Sequence, residues 1–324
     1  MVDRKKIAVS RRPPRTAEPR RMSDLTLDFL REKLAVPLPA AAAGAGSILV
    51  GLIGSGIQLS RTPALHEREG AEQGLAYVYR LIDIEVLGLE AAALPDLVNA
   101  ARRLGFSGLN ITYPFKQAVI PLLDALAPDA ALLGAVNTVV FAPDGRAVGH
   151  NTDRSGFAES FVRDLADVAR QRVALLGAGG AGAAVGHALL SLGVGELAIV
   201  DLDAARAARL VADLNAHFGA GRAVVARDAG QAVAAAEGLV NTTPVGMAKH
   251  PGMPLAAKHL RPELWVADVI YFPFETELLR TARSLGCRTL GGGGMAVFQA
   301  AGAFRLFSGR EPDVARMLAH FAAM

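Results

Sequence analysis

Two ionisable side chains stand where a proton could be moved. Lys116 ends the run Asn110-Ile-Thr112-Tyr-Pro-Phe-Lys116, a short loop past an apolar strand. A side chain there projects over the carboxyl edge of a sheet, where open α/β folds hold their ligands. Asp153 ends the run Gly149-His-Asn-Thr-Asp153, at the junction between two blocks of alternating pattern, where a cleft is expected. A lysine and an aspartate together can hold an alcohol and relay its proton while a nicotinamide takes the hydride. Singly, each would be read as an ordinary surface charge. The Ser60-Arg-Thr62 and Asn137-Thr138 runs, polar where a bland connection would not be, tip the balance toward a binding site.

The strongest local motif is Gly177-Ala178-Gly179-Gly180-Ala181-Gly182, after the apolar strand Val173–Leu176 and at the start of a helical pattern. Glycines so placed permit a tight turn and let backbone N–H groups approach a pyrophosphate. The helix N-terminus adds a favourable field for that charge. In a chain with 34 glycines the spacing alone says little, but a second strand follows and ends in Asp201, 19 residues past Gly182. A carboxylate there can accept both ribose hydroxyls of an adenosine. The strand end reads Asp201-Leu202-Asp203, and Arg206, one helical turn on, is the only nearby cation. A 2′-phosphate needs a cation and is repelled by a carboxylate. NAD is therefore favoured, and use of NADP is left open.

These groups need a scaffold, and the hydrophobic pattern supplies one. Short β-type runs at Ile48–Ile53, Tyr77–Ile84, Gly108–Thr112 and Val136–Phe141 alternate with helical patterns near Pro63–Gly74, Leu94–Leu104 and Val119–Ala127. A second series runs from a helix near Ser155–Leu165 through strands at Arg172–Leu176, Leu197–Val200, Ala223–Ala226, Gly238–Asn241 and Trp265–Val269, with helices at Ala181–Leu192 and Ala204–His217. The chain from Met295 to Ala323 is helical almost throughout. Such alternation predicts an α/β protein of two domains, an open, mostly parallel-sheet substrate domain and a Rossmann-type dinucleotide-binding domain. The expected boundaries are a basic, disordered arm and linker over 1–46, a substrate domain over 47–151 plus 291–324, and a dinucleotide domain over 152–290. The Gly291–Gly294 run is expected to hinge the return to the first domain.

Composition narrows the class. With 52% hydrophobic and 20% charged residues, the chain is neither wholly disordered nor fibrous. Residues 1–46 hold ten Lys/Arg against five Asp/Glu, leaving 24 against 26 in the rest of the 324 residues. The positive balance thus comes from the front, and no nucleic-acid partner is expected for the body. The single cysteine, Cys287, excludes an internal disulfide and a Cys-based zinc site, and no metal is assigned. A cytoplasmic home fits best. Ala35–Leu59 carries no charge, but Pro37, Pro39 and five glycines make it a linker running into a strand, so no membrane partner is expected. Monomer and homodimer stay open.

The ordered blocks Ser60-Arg-Thr62-Pro-Ala-Leu-His66, Asn110-Ile-Thr112-Tyr-Pro-Phe-Lys116, Gly134-Ala-Val-Asn137-Thr, Asn151-Thr-Asp153-Arg-Ser-Gly-Phe, Gly177-Ala-Gly-Gly-Ala-Gly182, Asn241-Thr-Thr-Pro-Val-Gly-Met247, Asp268-Val-Ile-Tyr271 and Met295-Ala-Val-Phe-Gln299 resemble the shikimate dehydrogenase family from about Ile48 to the C-terminus. The resemblance implies that Lys116 and Asp153 are the catalytic pair. It implies that Ser60, Thr62 and Tyr271 meet a substrate carboxylate, and that Asn110, Thr112, Asn137 and Gln299 hold ring hydroxyls. Thr242, Pro244, Met247, Gly294 and Met295 would join the glycine turn, Asp201 and Arg206 around the dinucleotide. Neutral donors and acceptors suit a cyclic polyol, because a wrong substrate would leave them unpaired.

Departures from the family's NADP-dependent biosynthetic pattern are informative. That pattern has an arginine gripping the 2′-phosphate where this chain has Leu202, serine at Thr62 and asparagine at Glu67. The changes resemble the NAD-preferring quinate/shikimate dehydrogenase branch. The implied activity is reversible oxidation of the C3 hydroxyl of quinate and shikimate. An NADP-dependent shikimate or aminoshikimate dehydrogenase is the nearest alternative. A non-catalytic metabolite sensor of the same fold is a further one, disfavoured by the presence of both Lys116 and Asp153.

Overall fold

The computed structural model describes residues 47–324, so the arm and linker assigned to 1–46 lie outside the described residues. Two six-stranded sheets organise the rest. The first opens with β1 (Ser47–Gly54), whose residues from Val50 on are all buried. A strand covered on both faces reads as a continuous apolar run, which is why this segment could be mistaken for a membrane span. Among the described residues no helix is long and apolar enough to cross a membrane. After β1 come α1 (Thr62–Glu72), β2 (Ala76–Asp83), the single turn α2 (Ile84–Leu87), α3 (Leu94–Arg103) and β3 (Gly108–Ile111). Then follow β4 (Ala125–Leu126), α4 (Pro128–Leu133), β5 (Thr138–Phe141) and β6 (Ala147–His150). The order across the sheet is β2-β1-β3-β5-β6-β4.

The sheet is mostly parallel, as expected, and one local expectation needs correction. Only β5 runs against its neighbours, β3 and β6, while β2, β1 and β3 pair in parallel, as do β4 and β6. The helix expected over Val119–Ala127 is a single 3₁₀ turn, Ile120–Leu122, followed by β4. Pro121 withholds a donor from any longer helix, and Pro128 pushes Ala127 to extended backbone.

The second sheet contains β7 (Arg172–Leu176), β8 (Glu196–Val200), β9 (Ala223–Val225), β10 (Gly238–Asn241), β11 (Trp265–Asp268) and β12 (Arg288–Leu290). It is wholly parallel, in the order β12-β11-β10-β7-β8-β9. This is the doubly-wound order whose ligand crevice opens where β7 meets β10. Helices α5 (Asp153–Leu165), α6 (Gly180–Ser191), α7 (Ala204–Phe218), α8 (Ala229–Ala234) and α9 (Glu277–Ser284) cover its faces.

The chain closes with α10 (Gly292–Ser308) and α11 (Val314–Ala323). Phe304 and Phe307 of α10 pack with Tyr77 and Tyr79 on the first sheet. The glycine run is no hinge: Gly291 precedes the helix and the next three are inside it. A Cβ on Gly292 would lie 2.3 Å from the Val269 carbonyl oxygen, and one on Gly294 2.2 Å from Ser160 Oγ. On the facing helix, a Cβ on Gly156 would lie 2.7 Å from the Gln299 nitrogen. The glycines let α10 lie directly against α5. Helix α11 is tied back to α1 by Arg316, whose Nη2 donates to the buried Glu69 at 2.8 Å.

Candidate active site

Lys116 stands in the loop beyond β3. The Phe115 ring is buried, its N–H donates to the Thr112 carbonyl at 2.8 Å, and the Val136 N–H donates to the Lys116 carbonyl at 2.8 Å. The backbone is thus fixed on both sides, and Nζ donates to Asp153 Oδ2 at 2.7 Å. The lysine side chain is 24% exposed and the aspartate 8%, so the pair meets solvent from the lysine end.

Asp153 is the first residue of α5, where the helix field favours a negative charge. Its N–H donates to Asn151 Oδ1 at 3.0 Å, and Asn151 Nδ2 donates to the Ala135 carbonyl at 3.0 Å. Asn137 Nδ2 donates to Asp153 Oδ1 and to Thr152 Oγ1, both at 2.9 Å. Asn137 Oδ1 accepts from the Thr152 N–H and from Thr138 Oγ1, also at 2.9 Å. Both amide donors of Asn137 are thus committed inside the protein. Asn110 is similarly engaged, donating to the Asn137 carbonyl and Thr138 Oγ1 and accepting from Tyr79 Oη at 2.7 Å. In this structure the two asparagines orient Asp153, a part not foreseen for groups expected to hold ring hydroxyls.

Ser60 and Thr62 open α1, with the Thr62 N–H 3.4 Å from Ser60 Oγ. The Tyr271 hydroxyl, from the loop after β11, lies beside Ser60. Burial raises its pKa above the ordinary phenol value, and the Asp153 carboxylate adds to the effect. Ser60 and Tyr271, drawn from loops of the two sheets, thus meet, with the Asp153 carboxylate near enough to act on the phenol. Gln299 sits where α10 presses on Gly156 of α5, three residues past Asp153, and its Nε2 donates to the Ala296 carbonyl. Thr112 holds the edge of the same loop, its N–H on the Ile53 carbonyl. Arg61, between the two hydroxyl residues, lays its guanidinium over the Phe274 ring at 4.1 Å.

The glycine turn is built for a close approach. Gly177 has φ +96°, a backbone that only glycine adopts freely. A Cβ on Gly182 would lie 2.1 Å from the Gly177 carbonyl oxygen, whereas one on Gly179 would meet nothing within 4 Å. The turn is tight beneath and open above, and the first-turn N–H groups of α6 face that open side, so the residues fit a dinucleotide pyrophosphate. Thr242 Oγ1 donates to the Leu176 and Gly177 carbonyls at 2.8 and 2.9 Å, pinning the turn to β10. Asp201 Oδ2 accepts from the Ala178 N–H at 2.7 Å, and Oδ1 accepts from the Asp203 N–H at 2.8 Å. Arg206 Nη1 lies 4.0 Å from Asp201 Oδ2. Leu202 is fully exposed, Pro244 and Met247 are exposed, and Met295 is half-buried against the second core. The turn reaches the other half of the site, because a Cβ on Gly180 would lie 4.0 Å from Lys116 Cδ.

Four contributors had no role assigned from sequence. Tyr79 and Thr138 complete the asparagine network described above. Asp268 and Thr276 form a second one: Asp268 accepts from Thr276 Oγ1 at 2.7 Å and from Asn241 Nδ2 at 3.1 Å. Burial pushes the Asp268 carboxyl up to about 6. These bonds tie together the loops that carry Met247 and Tyr271.

A family model described as the shikimate dehydrogenase substrate binding domain matches residues 52–139. One described as the ThiF family matches 152–244, and one described as the shikimate 5′-dehydrogenase C-terminal domain matches 292–320. A shikimate dehydrogenase (NADP(+)) of Streptomyces avermitilis is 63% identical over 280 residues, covering 86% of this chain and 96% of that protein. The chain belongs to the shikimate dehydrogenase family. Its members are oxidoreductases acting on CH–OH groups, and this chain is one of that class. Within the family, a quinate/shikimate dehydrogenase (NAD(+)) of Corynebacterium efficiens is 52% identical over 280 residues, covering 86% of this chain and 99% of that protein. Among solved structures, the quinate dehydrogenase from Corynebacterium glutamicum in complex with NAD is 50% identical, with a TM-score of 0.80 over 86% of this chain and 99% of that one.

Proposed function

We propose that this dehydrogenase oxidises the C3 hydroxyl of quinate and shikimate to the 3-dehydro acids, with NAD as the preferred acceptor. The observation that carries the proposal is the Lys116–Asp153 pair, joined at 2.7 Å and lying beside Gly180 of the dinucleotide turn. When bound, NAD supplies a hydride acceptor. Once Lys116 has given up one proton to solvent at its exposed end, its Nζ lone pair takes the proton of the alcohol oxygen, and Asp153 Oδ2 holds that nitrogen in place. Ser60, Thr62 and Tyr271 offer hydroxyl donors to the carboxylate of the acid. Thr112 and Gln299, with the remaining lone pair of Asn110 Oδ1, offer partners for ring hydroxyls.

Support for NAD comes from Asp201-Leu202-Asp203, where a 2′-phosphate would meet two carboxylates. A second reading, NADP use, is favoured by Arg206, whose guanidinium already reaches toward Asp201 and could serve a phosphate, and by the NADP-named relative of Streptomyces avermitilis. Initial rates with quinate or shikimate, each with NAD or NADP, decide between them. Efficient turnover of quinate with NAD sustains the proposal, turnover of shikimate with NADP alone replaces it, and silence in all four assays leaves a binding protein.

Asp201→Asn is the sharper probe of cofactor choice, because the amide oxygen can still accept from the Ala178 N–H while the charge is gone and only the Asp203 N–H loses its acceptor. The ratio of kcat/KM for NADP to that for NAD is expected to rise about tenfold, the size of one charge–charge interaction largely screened by water. An unaltered ratio removes Asp201 from the ribose site.

A further inference from the structure

We propose that Tyr79 and Thr138 are positioning residues of the dehydrogenase, helping to hold the direction of a buried hydrogen-bonded chain that aims the Asp153 carboxylate at Lys116. The inference rests on Lys116 and Asp153 acting as the proton relay.

The chain has one consistent polarity. Tyr79 Oη donates to Asn110 Oδ1 at 2.7 Å, which turns the Asn110 amide so that Nδ2 donates to Thr138 Oγ1 at 3.0 Å. Having accepted there, Thr138 gives its own hydrogen to Asn137 Oδ1 at 2.9 Å. Asn137 Nδ2 is then left to donate to Asp153 Oδ1, and Oδ2 receives Lys116. All five residues from Tyr79 to Asp153 are buried, so water offers no substitute for a missing partner.

Reversing the chain breaks it at the reacting end. A flipped Asn110 would make Thr138 donate backward. Asn137 Oδ1 would then lose the Thr138 hydrogen and keep only the Thr152 donors, and were it to turn, its carbonyl oxygen would face the Asp153 carboxylate, two acceptors with no hydrogen between them. The phenol proton of Tyr79 opposes that flip at the far end of the chain, alongside the Asn137 carbonyl that Asn110 Nδ2 faces and the Thr152 N–H that Asn137 Oδ1 accepts. Burial holds the phenol well above its ordinary pKa, so the proton stays in place. The His66 ring, 5.1 Å away and itself buried, packs against the phenol.

Reach explains why the residue is a tyrosine. Tyr79 stands on β2 opposite Val50 of β1, and Asn110 stands on β3 opposite Leu52 of β1. The phenol crosses the whole of β1, two strand spacings or roughly 9–10 Å, which serine or threonine could not span. Phenylalanine spans it without the hydrogen.

Tyr79→Phe is expected to lower kcat about tenfold, the scale of a small misplacement in a reacting group, with KM for NAD unmoved and the melting temperature lowered by a few degrees because Asn110 Oδ1 loses a buried donor. Thr138→Val should match it, while Thr138→Ser, which keeps the hydroxyl, should retain the wild-type kcat. Because both changes cut one chain, the double variant Tyr79→Phe/Thr138→Val should be no slower than the worse single variant. An unchanged kcat in Tyr79→Phe, or losses that multiply in the double variant, would overturn the proposal. Rates are taken on whichever alcohol the wild-type enzyme oxidises. The wild-type substrate profile therefore tests the assigned reaction, and the variant ratios test the chain separately.

Discussion

Lys116→Ala is expected to oxidise its substrate with a kcat on the order of 10²-fold below wild type, with NAD binding preserved. General acid–base groups contribute at least that much when they act on the reacting oxygen itself. The structure makes the experiment clean. The loop is held by the buried Phe115 ring and by the backbone bond from Val136 to the Lys116 carbonyl, neither of which involves the amine. Removing the side chain should therefore leave the loop in place, with a lower melting temperature from the buried Asp153 carboxylate that loses its cation, and the fall in kcat of the folded enzyme belongs to the chemistry. The neighbouring groups cannot stand in, since Asn137 reaches the other oxygen of Asp153 and its N–H donors are already used. Wild-type turnover in this variant, measured by NADH formation at saturating substrate, would strip Lys116 of the assigned role.

Gly182→Ala carries the second large effect, on the cofactor half. The added methyl would sit 2.1 Å from the Gly177 carbonyl oxygen, a contact that no side-chain rotation relieves because both partners are backbone-fixed. Helix α6 must back away from the turn, and overpacking of this kind costs about 1–3 kcal/mol. Expressed in dinucleotide affinity, that is roughly a tenfold to hundredfold rise in Kd, accompanied by a lower melting temperature. Gly179→Ala separates fit from fold. Its methyl meets nothing within 4 Å and its φ of −76° suits alanine, so stability should hold while affinity falls, the methyl standing where the pyrophosphate approaches. A titration of NADH fluorescence reads both variants. Wild-type affinity in Gly182→Ala would show that the turn is a packing device only.

Much of this was legible in the sequence because local chemistry and tertiary role coincide. The strand-glycine turn-helix unit of the second sheet is one example, since its glycines are demanded by geometry whatever surrounds them. The illegible parts depend on distant partners. The antiparallel pairing of β5 and β6 leaves no mark in residues as small as Ala147-Val-Gly-His150. Helix α9 follows the irregular Tyr271-Phe-Pro-Phe274 stretch, and β12 spans three residues, too short for any period to show. Tyr79 was hidden for a different reason. In the run Ala76-Tyr-Val-Tyr79 an aromatic reads as core, and only the position of Asn110 two strands away makes its hydroxyl matter. The Gly291–Gly294 run misled in the same way, since looseness in sequence became close contact between helices.

The bond from the Ala178 N–H to Asp201 bears on how cofactor choice could change in evolution. On the proposed reading the carboxylate is at once a selector and a strut, so replacing it with a residue that cannot accept would orphan a donor inside the turn. Leu202 has no such tie, being wholly exposed between two acids. A lineage drifting from one dinucleotide to the other therefore has a free position at 202 and a constrained one at 201. Preference would be exchanged by adding a cation beside the acid long before the acid itself is surrendered, passing through an intermediate that accepts both cofactors.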